Sequence, residues 1–156
     1  MTSIAALAAA SDWPAVAALL ELAERGGPDA PDLDARDEGG WTAMMHCADS
    51  GKVDLLRRLV RAGANVEAAD RSGATALMKA AHNGRVDLLE VLVEEGHAEL
   101  DQCAANNGTT ALLIACRAGN ESAATFLVGV GADKAGVRAV LANAPEPIPW
   151  AAELLG

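Results

Sequence analysis

Basic side chains are scarce in this chain. Only 12 Lys and Arg stand against 22 Asp and Glu, and the formal net charge is −10 with the three histidines neutral. A binder of phosphate backbones needs many Lys and Arg contacts, so nucleic acid is excluded as a partner. The carboxylate surplus favours solubility and a partner protein that carries a basic patch. Long apolar runs are missing too. None reaches the roughly 18 residues of a membrane span, so no membrane partner is expected. The stretch from Ile4 to Ala10 is apolar but short, lacks a positively charged leader and runs into Ser11 and Asp12, which argues against a secretory signal. Aromatics are limited to three Trp and one Phe. Much of the 51% hydrophobic content is alanine, which suits close contact between helices.

Three cysteines form no disulfide framework, and a reducing, cytosolic setting fits best, with the nucleus as the other compartment. Cys47 and Cys116 fall where a sister segment has Ala80 and Ala81, so they read as small core residues. Cys103 falls in a loop without a basic or His neighbour to lower its pKa, and reads as a free thiol. Catalytic patterns are also missing. His46, His82 and His97 share no metal-ligand spacing with the cysteines, and there is no H-E-x-x-H or C-x-x-C. No strand precedes the glycines to build a phosphate cradle. Asn107 and Asn120 open Asn-x-Ser/Thr triplets that read as chance matches. No cofactor, metal or enzymatic activity is expected.

What the chain does have is repetition. Gly40 to Gly51, Gly73 to Gly84 and Gly108 to Gly119 are near-copies, with Thr42, Thr75 and Thr110 spaced by 33 and then 35 residues. A fixed period of this size signals stacked supersecondary units. Within each unit the first Gly marks a tight turn, the Thr is an N-cap, and the closing Gly stops a short apolar helix. A second helix follows, with Val53, Leu55, Leu56, Leu59 and Val60 repeated as Val86, Leu88, Leu89, Leu92 and Val93, then as Ala123, Ala124, Leu127 and Val128. That spacing makes one broad apolar face. It predicts second-helix stops at Gly63, Gly96 and Gly131. One such pair cannot bury its face alone, so neighbours must stack. Arg57, Arg58 and Arg61 read as a solvated outer face.

These letters resemble the ankyrin repeat family. Asp37, Gly40, Thr42, Met44, Cys47, Ala48, Gly51, Gly63 and Ala64 carry the resemblance in one repeat. Asp70, Gly73, Thr75, Leu77, Ala80, Ala81, Gly84 and Gly96 carry it in the next, and Gly108, Thr110, Leu112, Ala115, Gly119, Gly131 and Ala132 in the third. The chain departs at two positions. The family's Pro is Ala43, Ala76 and Ala111, and its His, which links neighbouring loops, is Met45, Met78 and Leu113. The resemblance implies an all-α solenoid of stacked helix-turn-helix units, about four to five with capping ends. As one domain over 1–156, it divides into a cap (1–36), repeats at 37–69, 70–104 and 105–134, and a C-terminal cap (135–156). A helix over Val137–Asn143, a break from Pro145 to Pro149 and a final turn over Trp150–Leu155 complete that cap.

In ankyrin-like proteins the loop tips and the free side of the first helix form a concave binding face. Carried over by position, it holds Glu38, Trp41, His46, Asp49 and Ser50, then Arg71, Ser72, Ala74, Lys79, His82 and Asn83, then Asn106, Asn107, Thr109, Ile114 and Arg117. These positions vary between blocks whose other letters stay fixed. Trp41 stands where the sister repeats have Ala74 and Thr109, and is either an exposed interface anchor or packed on the enlarged loop 26–36. Trp13 reads as a packing residue of the first cap. Trp150 either seals the last repeat or presents an apolar patch to a partner or a second copy, so the chain is a monomer or a homodimer through that patch. The two-residue excess between Gly96 and Gly108 lengthens one loop finger. The implied function is a non-enzymatic protein-binding module, with an inhibitor or regulatory subunit of an enzyme such as a kinase as the alternative.

Overall fold

The computed structural model describes residues 3–104, 108–143 and 147–156. The described residues form α1 (Ile4–Ala9), α2 (Trp13–Arg25), α3 (Ala43–Ser50), α4 (Val53–Arg61), α5 (Ala76–His82), α6 (Val86–Glu90), α7 (Ala111–Arg117), α8 (Glu121–Gly129), α9 (Lys134–Ala142) and α10 (Pro149–Leu155). The fold is the all-α stack of helix pairs that the repetition predicts. Among the described residues the only β feature is one isolated antiparallel bridge, Ala69 to Thr75, at the base of a hairpin. Pro145, assigned to the break between the last two helices, lies outside the described residues.

Local chemistry explains each pair. The hydroxyls of Thr42, Thr75 and Thr110 accept from the N–H groups of Met45, Met78 and Leu113 at 3.4, 3.4 and 3.3 Å, opening α3, α5 and α7. Ser3, Asp12 and Asp133 cap α1, α2 and α9 in the same way. Gly51, Gly84 and Gly119 lie at positive φ where the first helices turn back. The odd-numbered helices pack on one another in an inner layer and the even-numbered ones in an outer layer. Between the layers Met44, Met45, Leu56, Leu59, Met78, Leu88, Leu89, Leu92, Leu112 and Leu127 are fully buried. Each such side chain contributes about 1.5–3 kcal/mol of transfer free energy. Met45, Met78 and Leu113, standing where the resembling family has His, are core residues here.

Other groups tie the repeats to each other. Carboxylates of Asp34, Glu67 and Asp101 accept from the N–H of Asn65, Glu99 and Asp133, one repeat further on, at 2.7, 2.8 and 2.8 Å. The arginines of α4 pair across the stack rather than standing as a purely solvated face. Arg58 takes Glu24 at 2.8 Å, and Arg57 and Arg61 share Glu95 at 2.7 and 3.0 Å. Carboxylates from both neighbouring repeats reach them because the outer helices lie side by side. Trp13 and Trp150 are half-buried against the core, and the Lys52 ammonium lies 5.3 Å from the Trp13 ring centroid.

The two-residue excess of the third hairpin is divided, contrary to a simple lengthening of the finger. One residue is absorbed by a π-helical turn, Val91–Glu95, that continues α6. Buried Ala64 and Ala132 close their helices by donating to Leu59 and Leu127, five residues back, whereas Ala98 reaches Leu92, six back. The left-handed stop therefore moves from Gly96 (φ −88°) to His97 (φ 54°). The second extra residue sits in the hairpin. Asp37 and Asp70 donate to the carbonyls of Trp41 and Ala74, four residues on, but Ala104 donates to Thr109, five on.

Candidate protein-binding face

The hairpins that precede α3 and α5 are organised by one carboxylate each. Asp37 Oδ1 accepts from the N–H of Gly39 and Trp41 at 2.8 and 2.9 Å. Asp70 Oδ1 accepts from the N–H of Ser72 and Ala74 at 2.8 and 3.1 Å, and from the Ser72 hydroxyl at 2.6 Å. The second oxygen of each faces the helix. Asp37 Oδ2 meets His46 Nε2 at 2.7 Å, and Asp70 Oδ2 meets Lys79 Nζ at 2.9 Å. Burial pushes both carboxyls up, yet the donors around them prevail. Asp37 is held below the ordinary carboxylate range by Trp41, His46 and Gly39, and Asp70 is lowered to about 2 by Ser72, Lys79 and Ala74.

These pairs fix the aromatic residue between them. The Trp41 ring lies 5.0 Å from the His46 ring at 43°, and the Lys79 ammonium of the next repeat lies 3.5 Å from the Trp41 centroid. Trp41 is half-buried and packs on His46 and Lys79. The Arg71 side chain covers Gly40, where an added Cβ would stand 3.0 Å from Arg71 Cγ. At the far ends of the inner helices Asn83 donates to both the carbonyl and the carboxylate of Asp49 at 3.2 and 3.1 Å. The structure thus unites Trp41, His46, Lys79 and Arg71 with the Asp37 and Asp70 hairpins, and pairs Asp49 with Asn83.

The remaining candidate residues are distributed along this side. Glu38, Asp49, Ser50, Arg71, Ser72, His82, Asn83 and Arg117 are exposed, while Trp41, His46, Ala74, Lys79 and Ile114 are half-buried. Thr109 is buried at 9% exposure and offers little surface. Asn106 and Asn107 lie outside the described residues. Asp37 and Asp70, which the variable positions do not include, hold the centre of this face. Their signal was an Asp five residues before each capping Thr with a base four residues after it. The third repeat loses both partners together, with Ala104 at the hairpin base and Ile114 on the helix.

Among the described residues no group of three or more His, Cys, Asp or Glu is placed to hold a metal, and no helix is long and apolar enough to cross a membrane. A sequence model of ankyrin repeats (three copies) matches residues 51–136. The chain belongs to the ankyrin repeat family. Ankyrin repeats are protein–protein interaction modules, and the family is generally non-enzymatic. No curated protein matches the chain. The loop-linking His of the repeat is replaced by core Met45, Met78 and Leu113, and the carboxylate ladder from Asp34 to Asp133 ties the outer loops instead.

Proposed function

We propose that this ankyrin domain binds a partner protein through the inner-helix face and hairpin tips, with Trp41 as its anchor, in the cytosol or nucleus. The observation that carries the reading is the pre-organised cluster at the boundary of two repeats. Trp41 is held between His46 and Lys79, and each base is in turn held by a hairpin Asp. A half-exposed indole that has already lost its rotamer freedom costs less to bind than a mobile one. Exposed Glu38 and Arg71 flank it on the hairpins, and exposed His82 and Asn83 continue the polar surface toward the far ends of the inner helices. A face of this kind is suited to a standard interface of about 800 Å² per partner. With a net charge of −10, binding favours a partner with a basic patch and weakens as salt rises.

Affinity purification from source lysate with the wild type and Trp41→Ala, followed by mass spectrometry, tests the reading. Specific bands retained by the wild type and lost by the variant are expected, and equal recovery of every band by the two proteins removes Trp41 as the anchor. Assaying enzyme activities in the retained fraction then distinguishes a regulator from an adaptor.

A further inference from the structure

We propose a second docking surface, separate from the inner-helix face: an acid-rimmed groove at the N-terminal end that takes a basic peptide segment bearing one bulky apolar side chain. The groove lies between α1, α2 and the loop that follows them. Ile4, Leu19, Leu22, Pro28, Pro31 and Ala35 line it, and its volume is 430 Å³. That falls within the range of about 300–1,000 Å³ typical of sites that enclose a ligand group. Leu22 is 44% exposed, the highest value among the three large aliphatic side chains left open in the described residues.

The outer wall is fixed before any partner arrives. Pro28 and Pro31 restrict its backbone. Ala30 donates to Gly27 at 3.2 Å, and Asp34 donates to the Asp32 carboxylate at 3.0 Å. The Asp34 carboxylate accepts from Asn65 of the next repeat at 2.7 Å, and the Arg36 guanidinium binds the carbonyls of Gly40 and Ala69. A pre-formed wall of this kind lowers the ordering cost of binding.

Charge selects the occupant. Asp29 and Asp32 line the same groove, and neither joins the ion pairs of the described residues. Arg36, the cation of this loop, is turned away to the two backbone carbonyls. An apolar cleft with two uncompensated carboxylates at its edge favours an aliphatic or aromatic anchor flanked by Lys or Arg. The opposite end of the solenoid has an apolar groove of 550 Å³ as well, but among the described residues no acidic side chain lines it, and its Arg138 is occupied by main-chain oxygens of Leu155 and Gly156. Among the described residues, acidic side chains therefore line the N-terminal groove and not the other.

Selection of a displayed random-peptide library against the whole chain at low salt tests the assignment. Enriched peptides are expected to carry one bulky apolar residue between Lys or Arg residues. Their affinity is expected to fall roughly tenfold in Leu22→Ser and roughly three- to tenfold in D29N/D32N, the scale of one buried apolar anchor and of exposed charge pairs. Asn at 32 keeps an amide oxygen for the Asp34 N–H, and Asp29→Lys gives the same reading should the double variant unfold. Val140→Ser, at an exposed aliphatic side chain on the opposite end, is expected to leave binding unchanged. Circular dichroism and melting verify that each variant is folded. Absence of enrichment, enrichment of neutral or acidic peptides, or equal binding by Leu22→Ser overturns the proposal. Self-association that Leu22→Ser abolishes would assign the groove to a second copy and overturn it equally.

Discussion

The Nζ of Lys79 lies 3.5 Å from the centroid of the Trp41 ring, one repeat away, while it holds Asp70 of its own hairpin at 2.9 Å. One cation therefore couples the rigidity of a hairpin to the position of the neighbouring repeat's indole. Both charged side chains are largely withdrawn from solvent, at 11% and 7% exposure, so the pair is less screened than a surface salt bridge. Asp70 satisfies its remaining capacity with backbone and hydroxyl donors, which a buried ion requires.

Lys79→Ala is expected to destabilise the domain by about 1–3 kcal/mol, since it removes a charge-assisted hydrogen bond and leaves a withdrawn carboxylate without its cation. A double-mutant cycle with Trp41→Ala isolates the contact between repeats, with an expected coupling of about 0.5–2 kcal/mol. Denaturant unfolding of the four proteins measures it. A coupling of zero would show that the ammonium and the ring are neighbours without attraction.

The same hairpins make stability sensitive to acid. The Asp70 pKa is about 2 in the fold and about 3.9 in an unfolded chain. A lowered folded value means that the stabilisation is present above the unfolded pKa and disappears as pH falls through the folded one. The loss amounts to about 2–3 kcal/mol between roughly pH 5 and pH 1. Asp37 is shifted in the same direction and adds to the slope. Stability measured across this range is expected to fall less steeply in Asp70→Asn than in the wild type. An unchanged acid slope in the variant would falsify the assignment.

The elements that could be read from sequence were those carried by single letters at fixed offsets. Thr42, Thr75 and Thr110 announce their helices, and Gly51, Gly84 and Gly119 stop them, because caps and left-handed turns are local chemistry. The centre of the candidate face was half legible. Trp41, His46 and Lys79 stood out as variable positions, but their Asp partners lie nine residues earlier, across a hairpin and a helix cap. That distance becomes a contact only after both have folded. The partition of the two extra residues was invisible, since length alone does not reveal whether a helix or a loop absorbs an insertion.

Thiol chemistry separates core from surface. Cys47 and Cys116 are buried and Cys103 is exposed, and all three are free. Burial pushes the Cys47 thiol up to about 12 against the opposing Lys52 charge, and burial also raises Cys116. An aromatic disulfide reagent at mildly alkaline pH is expected to modify one thiol of the native protein, with the other two reacting only in denaturant. Rapid modification of two or three thiols without denaturant would contradict this placement.

The π turn gives a sharper prediction, because it exchanges the roles of two adjacent residues. A repeat-pattern reading makes Gly96 the left-handed stop, so that Gly96→Ala would suffer through φ and His97→Gly would change nothing. In the structure His97 occupies the left-handed region and Gly96 does not. A Cβ at Gly96 would stand 2.7 Å from the Leu92 carbonyl oxygen and 3.1 Å from Val66 Cγ2, whereas one at Gly63 meets open space. His97→Gly is therefore expected to stabilise by about 1 kcal/mol through relief of the left-handed conformation, less whatever glycine adds to unfolded-state entropy. Gly96→Ala is expected to destabilise by about 1–3 kcal/mol through collision rather than φ. Chemical denaturation of both variants decides between the registers. A gain at His97 requires the extra residue to lie inside the helix, whereas no gain there would return it to the loop.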